Sequence, residues 1–109
     1  MMKVEHIGIA VKHLSTSITV FEKLLNSQCY KTEDVESELV KTAFFKKGES
    51  KIELVEGYSP ESPIYKFIDK KGEGIHHIAF EVEDIEAEIK RLVNEGFILI
   101  NEKPKQGAD

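Results

Sequence analysis

Apolar and polar residues alternate over 4–11 (VEHIGIAV), a pattern typical of a half-buried β-strand. Residues 14–25 follow a different period, in which the apolar side chains recur at the spacing of one helix face: Leu14, Ile18, Phe21 and Leu25. Ser15 and Ser17, near the start of this predicted helix, are candidates for its cap. Three more strands are expected at about 28–34, 40–46 and 51–56, with KKGES as the turn between the last two.

The second half of the chain carries the same two periodicities. They predict a short helix at 64–70, a strand at 76–82, a helix at 84–95 and a strand at about 97–101. Pro63 suits the start of the short helix, Asp84 is the candidate cap of the longer one, and Gly96 is expected to end it. The predicted order is therefore βαβββ followed by βαβ.

The two halves also resemble each other in sequence. Residues 4–14 (VEHIGIAVKHL) align without a gap on residues 75–85 (IHHIAFEVEDI), at an offset of 71. The identical pairs are His6/His77, Ile7/Ile78 and Val11/Val82. We predict a single α+β domain over 1–109 that is built from paired βαβββ modules. Its parts would be a first module at 1–58, a connecting segment at 59–74 and an incomplete second module at 75–109.

Composition limits the classes of function that the chain can serve. The 109 residues carry a net charge of −5 with both signs interspersed, which argues against a nucleic-acid-binding surface. No apolar run approaches the ~18 residues that a membrane-spanning helix needs. MMKVEHIGIAV does not resemble a secretory signal, and Cys29 is the sole cysteine. We therefore expect a cytoplasmic protein without an internal disulfide.

Strand geometry places successive side chains on opposite faces of a sheet. In the first copy of the repeat, three apolar side chains share the face that we expect to pack on a helix: Ile7, Ile9 and Val11. His6 lies on the other face beside the small residues Gly8 and Ala10, which leave room for a ligand.

In the second copy, the core-facing side chains are expected to be Ile78, Phe80 and Val82. His77 then lies on the opposite face with Ala79. His76 falls on the apolar face and is interpreted as structural or edge-exposed. Of these two adjacent histidines, His77 is the functional candidate because it repeats His6.

Two histidines at equivalent places of a repeated module would be brought together by a pseudo-twofold axis. A single strand histidine is usually a hydrogen-bonded or surface group, but imidazole is also the commonest metal-binding side chain near neutral pH. Glu53 stands in the apolar strand KIELVEG, where a carboxylate needs a partner. The repeat and this inward carboxylate together predict that His6, Glu53 and His77 are metal ligands.

Five segments spread over nearly the whole chain carry a family resemblance: EHIGIAVKHL, KIELVEG, ESPIYKFI, GEGIHHIAFEVEDI and NEKPKQGA. Together they are similar to the vicinal oxygen chelate superfamily and, within it, to the methylmalonyl-CoA epimerases. The resemblance implies paired βαβββ modules around a divalent metal ion, with His6 and His77 as ligands. Ligation by histidine and glutamate suits Zn, Co, Ni or Mn.

Three features depart from the epimerase pattern. Glu53 stands where the epimerases often have glutamine and glyoxalase I enzymes commonly have glutamate, and we take it as the candidate catalytic residue as well as a ligand. The second acid/base position of the epimerases falls near Thr42, which cannot abstract a proton as a carboxylate does. The family's fourth ligand, a glutamate that resembles the catalytic base, would fall at roughly position 124 by the repeat spacing. Since this lies beyond Asp109, we expect the chain to be C-terminally truncated.

The resemblance implies epimerisation of methylmalonyl-CoA by removal of its α-proton through an enolate. The alternative is an isomerase of the glyoxalase I (lactoylglutathione lyase) type, and a further one is a non-catalytic small-molecule-binding module. The partner would be a small molecule, either an acyl-CoA thioester or a glutathione hemithioacetal, with no nucleic acid and no membrane. Because an incomplete sheet leaves exposed edges, we also expect a homodimer.

Overall fold

The computed structural model describes residues 2–100, which form one mixed sheet with helices on both of its faces. The elements in chain order are β1 (Met2–Ala10), α1 (Leu14–Leu25), β2 (Lys31–Val35), a 3₁₀ turn (Glu36–Glu38), β3 (Val40–Lys47), β4 (Ser50–Gly57), α2 (Pro63–Lys71), β5 (Gly74–Val82) and α3 (Ile85–Asn94). The strand order is β2-β3-β4-β1-β5. β1 runs parallel to β4, and the other neighbouring pairs are antiparallel.

The predicted α+β class and order of elements are confirmed up to the last helix. The strand expected at about 97–101 is wrong for residues 97–100, which form no strand, and residue 101 lies outside the described residues. Ile98 and Ile100 are 93% and 97% exposed, because no strand within residues 2–100 pairs with this segment. The closing motif NEKPKQGA also lies outside the described residues.

Helix α1 begins differently from the prediction. Its N-cap is His13, which makes no side-chain capping bond, and Ser15 and Ser17 lie inside the helix. The backbone N–H of Leu14 instead donates to Glu56 Oε1 of β4 at 2.7 Å. A carboxylate near a helix N-terminus also interacts favourably with the helix dipole, so β4 supplies the cap from across the fold.

The core divides into two clusters, one on each face of the sheet. On the α1 face, the buried side chains are Val11, Leu14, Ala43, Phe45 and Leu54, with Ile9, Ile18 and Phe21 packed against them. On the α2 face, the buried side chains are Ala10, Val40, Val55 and Ile64. This division follows the alternation of the strands, because neighbouring residues such as Leu54 and Val55 enter opposite clusters.

The far edge of the sheet is less buried than the sequence predicted. Ile78 and Phe80 were expected in the core, but they are 49% and 53% exposed. Helix α3 contributes no buried residue, so the described chain supplies no complete layer over this side of β5. No helix in residues 2–100 has the length and apolar character needed to cross a membrane.

Helix α2 is held tightly against the end of β4. Ser62, which is fully buried, caps the helix by accepting a hydrogen bond from the N–H of Ile64 at 3.2 Å. A Cβ on Gly57 would come within 2.6 Å of the backbone nitrogen of Tyr65, so only glycine permits this approach. The close contact fixes Pro63 and Ile64 over the sheet, where both line a cavity.

Candidate metal centre

A cavity of about 660 Å³ opens on the α2 face of the sheet. Apolar side chains make up much of its wall: Val35, Val40, Val55, Pro63, Ile64 and Ala79. Three adjacent strands contribute the polar side chains predicted from the sequence. His6 projects from β1, Glu53 from β4 and His77 from β5.

Gly8 is the point of the sheet around which these residues gather. It pairs with Glu53 on one side and with His77 on the other. A Cβ at Gly8 would lie 2.1 Å from Cε1 of His77, so the imidazole occupies the space that a side chain would fill. The absence of a side chain at position 8 therefore lets His77 fold over β1 towards Glu53.

The three donor atoms lie close enough together to contact one ion. Nε2 of His6 is 3.0 Å from Nε2 of His77. Oε1 of Glu53 is 3.4 Å from the first nitrogen and 3.3 Å from the second. An ion bound at about 2.1 Å would separate adjacent ligands by roughly 3.0 Å in an octahedron and roughly 3.4 Å in a tetrahedron. The spacing of these three donor atoms therefore fits a divalent metal ion.

The hydrogen bonds behind His6 also favour a cation in front of it. Nδ1 of His6 lies 2.6 Å from Oε1 of Glu5. An ionised carboxylate only accepts hydrogen bonds, so Nδ1 carries the proton of the neutral ring and Nε2 presents a lone pair. That lone pair points to the same place as the carboxylate of Glu53, which is buried. A cation placed there would offset the repulsion and the cost of burying this charge.

Glu5 is held in its ionised form by the same contacts. The hydrogen bond from His6 lowers the pKa of the Glu5 carboxyl below its usual value. Burial acts in the opposite direction, and Lys51, whose Nζ lies 2.9 Å from Oε2, adds to the lowering. The chain Lys51–Glu5–His6 thus runs from β4 to β1 and ends at the candidate site.

His76 is exposed on the edge strand β5, as one of the two interpretations held, but it lies in the cavity wall and not on the apolar face. Its Nδ1 is 2.9 Å from Nδ1 of His77, and its ring packs edge-on against Phe67 at a centroid distance of 4.8 Å. Burial lowers the pKa of His76, and the neighbouring His77 lowers it further. A neutral His76 can accept a hydrogen bond from the Nδ1–H of His77.

Thr42 is buried in the same wall, and its hydroxyl donates to the carbonyl of Glu33 at 3.4 Å. The carboxylates among the described lining residues are Glu38 and Glu53. Glu5 and Glu38 were not predicted from the sequence as site residues. Glu5 carried a signal, because it and His76 occupy the same place in the two copies of the repeat, immediately before a histidine.

Comparison with known sequences gives the family. Residues 5–109 match the Glyoxalase/Bleomycin resistance protein/Dioxygenase superfamily. The uncharacterised protein YqjC of Bacillus subtilis is 37% identical over 100% of this chain and 78% of its own length. The mitochondrial methylmalonyl-CoA epimerase of Dictyostelium discoideum is 33% identical over 97% of this chain. The chain spans 64% of the length of that epimerase.

Solved structures agree with the sequence relatives. A hypothetical protein of Bacillus halodurans superposes with a TM-score of 0.93 at 47% identity, over 98% of this chain and 78% of the other. A variant of Streptomyces coelicolor methylmalonyl-CoA epimerase in complex with 2-nitronate-propionyl-CoA gives 0.87 at 29% identity, over 96% and 77%. The chain therefore belongs to the glyoxalase/bleomycin resistance protein/dioxygenase superfamily, the vicinal oxygen chelate superfamily that its histidine-led strands resemble.

Proposed function

We propose that this protein catalyses metal-dependent epimerisation of methylmalonyl-CoA, or of a closely related acyl-CoA thioester, by removing and returning the α-proton. The observation that carries the proposal is the convergence of His6, Glu53 and His77 on one point within a cavity. Similarity to methylmalonyl-CoA epimerases, one of them in complex with an acyl-CoA, supports this substrate class.

His6, Glu53 and His77 would hold the divalent ion, and Zn, Co, Ni and Mn all suit this donor set. When bound, such an ion supplies Lewis-acid stabilisation of the negative charge that develops as an α-proton leaves a thioester. The chain itself orients the two imidazoles through Gly8 and the hydrogen bonds behind them. The apolar wall formed by Val40, Val55 and Ile64 would exclude water from the bound acyl group.

We assign the proton transfer to Glu53. It is a buried carboxylate in the cavity wall, where it lies beside both histidines. Thr42, near the second acid/base position of the epimerases, carries a hydroxyl that donates to the carbonyl of Glu33 and would not serve as a base. The assignment predicts slow turnover for this chain, because Glu53 must then both remove the α-proton and return it.

Exchange of the α-proton of methylmalonyl-CoA with solvent deuterium, followed by mass spectrometry, tests this proposal. We expect metal-dependent incorporation of one deuterium, abolished by a chelator and restored by a divalent ion. Glu53→Gln keeps an oxygen donor but removes the base, so exchange should fall by about 10²–10⁴-fold. Glu49→Gln, which changes a surface carboxylate at 87% exposure, is the matched control and should leave exchange unchanged. Metal-loaded protein that catalyses no exchange would refute the proposed epimerase activity.

A glyoxalase I-type isomerase is the second candidate, because the acid at position 53 is glutamate and not glutamine. Metal-dependent turnover of methylglyoxal with glutathione, without exchange into methylmalonyl-CoA, would establish it in place of the epimerase. Protein that binds an acyl-CoA but takes up no metal and catalyses neither reaction would instead be a non-catalytic binding module. We also propose that the protein acts in the cytoplasm as a homodimer.

A further inference from the structure

Each of the two site histidines directly follows a residue that interrupts the pairing of its strand. On β1, Val4 pairs with Phe80 and His6 pairs with Ala79, so Glu5 is an extra residue without an opposite number. Such a β-bulge redirects a side chain, and bulges are common next to functional sites. Here the bulge brings the carboxylate of Glu5 to within 2.6 Å of Nδ1 of His6, although the two residues are adjacent in sequence.

The same arrangement is found on β5. Gly8 pairs with His77 and Ile9 pairs with Ile75, so His76 is the extra residue of this strand. The bulge allows His76 and His77 to line the same cavity, with their Nδ1 atoms 2.9 Å apart. Regular alternation would have placed the two rings on opposite faces.

The two bulged residues are equivalent in the repeat, since Glu5 and His76 are 71 positions apart, like His6 and His77. In both copies the bulged residue contacts Nδ1 of the histidine that follows it. In both copies Nε2 of that histidine faces the centre of the site. A β-bulge thus positions the partner of each imidazole. The partner is a carboxylate in the first copy of the repeat and an imidazole in the second.

We propose that Glu5 and His76 are positioning residues of the metal site, each fixing the tautomer and orientation of the histidine that follows it. Each accepts a hydrogen bond from Nδ1–H, which leaves the lone pair of the imidazole on Nε2. The proposal rests on the proposed metal-binding role of His6, Glu53 and His77. It adds that the residue preceding each histidine decides which ring nitrogen is offered to the ion.

The two positioning residues should differ in how strongly they affect metal binding. Glu5 is an anion whose second oxygen is held by Lys51 at 2.9 Å, and a carboxylate partner makes the imidazole a more basic ligand. His76 offers Nδ1 of an imidazole at the cavity wall, 2.9 Å from Nδ1 of His77, and mainly orients the ring of His77. Loss of Glu5 should therefore weaken metal binding more than loss of His76.

The first test uses Glu5→Ala and Glu5→Gln, with Glu49→Ala as the control for a surface carboxylate. Binding of Zn²⁺ is measured by competition with a chromophoric chelator. Glu5→Ala should lower the affinity by about 10–100-fold. Glu5→Gln keeps an acceptor oxygen without the charge, so its loss should be smaller, and Glu49→Ala should bind as the parent does. Unchanged affinity in Glu5→Ala would overturn the role of Glu5.

The second test reads the tautomer directly in metal-free protein. Long-range ¹H–¹⁵N spectra at about pH 8, where imidazole is neutral, show which ring nitrogen carries the proton. His6 and His77 should both be protonated at Nδ1. Glu5→Ala should remove the preference for the Nδ1–H tautomer in His6 alone, and His76→Ala should remove it in His77 alone. His76→Asn retains a hydrogen-bond acceptor, so His77 should stay protonated at Nδ1. A proton on Nε2 of His6 would overturn the role of Glu5, and a proton on Nε2 of His77 would overturn the role of His76.

The two readouts separate failure of this proposal from failure of the proposed function. If the parent protein does not compete for Zn²⁺ but His6 and His77 carry Nδ1 protons that depend on Glu5 and His76, the metal site is wrong and the positioning role stands. If Zn²⁺ binds tightly and neither variant changes the affinity or the tautomer, the metal site stands and the positioning role is wrong.

Discussion

Glu53 is the side chain on which the chemistry of this site depends most. Its side chain is only 7% exposed, and its Oε1 lies within 3.4 Å of Nε2 of both His6 and His77. A buried carboxylate is stable only with a partner, and an ion shared with the two histidines would supply one. Sequence reasoning could find Glu53, because a charged residue in an apolar alternating strand is conspicuous without any knowledge of the fold.

The first prediction concerns the ligand histidines. Replacing both His6 and His77 with alanine should abolish uptake of a divalent ion, since a single carboxylate from Glu53 cannot hold it. The far-UV circular dichroism spectrum should stay that of the parent, because neither imidazole belongs to the two core clusters. His13→Ala, which changes an exposed histidine outside the cavity, is the control. Stoichiometric metal in the double variant by plasma mass spectrometry would refute this ligand assignment.

The second prediction concerns Gly8. Gly8→Ala should push the ring of His77 away, because the new Cβ would lie 2.1 Å from Cε1. We expect metal affinity to fall by about 10–100-fold, as it does when a residue that orients a metal ligand is replaced. Gly57→Ala is the comparison, since its Cβ would meet the backbone of α2 and should lower stability more than metal affinity. Parent-like affinity in Gly8→Ala would show that His77 does not need this space.

The residues that sequence reasoning placed wrongly owe their positions to backbone register. Strict alternation across residues 75–77 predicts that His76 lies on the apolar face. The bulge that moves it is defined by the pairing of β5 with β1, so it depends on the partner strand as well as on β5. Glu5 was missed for the same reason. By contrast, His6 and His77 were found because the repeat compares one copy of the strand with the other.

At the scale of elements, periodicity predicted both the helices and the strands that form the site. It failed where an element depends on a neighbour. Residues 97–100 have strand-like composition, but a strand forms only when another strand pairs with it, and none within residues 2–100 does. The start of α1 is another case, because its capping carboxylate, Glu56, comes from a distant strand.

The third prediction compares two leucines in the elements that carry the site. Leu54 of β4 is fully buried in the α1-face cluster, whereas Leu24 of α1 is 69% exposed. Leu54→Ala should lower the free energy of unfolding by about 2–5 kcal/mol through lost burial and a cavity. Leu24→Ala, the same substitution in solvent, should change it by less than about 0.5 kcal/mol. Urea denaturation followed by circular dichroism measures both, and equal effects would contradict the assigned core.

At the scale of the whole molecule, the sheet is covered unevenly. The strands β1, β3 and β4 are packed on both faces, while β5 and α3 expose a group of apolar side chains: Ile78, Phe80, Ile85 and Val93. Large exposed apolar patches are uncommon on monomers. The exposure of the apolar side chains of β5 could not be predicted from hydrophobicity alone. An apolar pattern predicts that a strand face is buried, but it does not specify which element covers that face.

The fourth prediction is the homodimer, with the apolar group on β5 and α3 contributing to its interface. Sedimentation velocity should show a dimer that weakens with dilution. Phe80→Lys should shift it towards monomer, because burying the charge in an interface is unfavourable. Leu24→Lys, an equally drastic change on the exposed side of α1, should leave the association unchanged. A monomer at all concentrations up to the millimolar range would be inconsistent with this assembly.

Anomalous diffraction from crystals of the Zn²⁺-loaded protein tests most directly whether His6, Glu53 and His77 form one metal centre. We expect a single strong anomalous peak in the cavity, about 2.0–2.2 Å from Nε2 of His6, Nε2 of His77 and one carboxylate oxygen of Glu53. A peak bound by other residues, or no peak in the cavity at saturating Zn²⁺, would contradict the metal centre and the proton chemistry proposed for it.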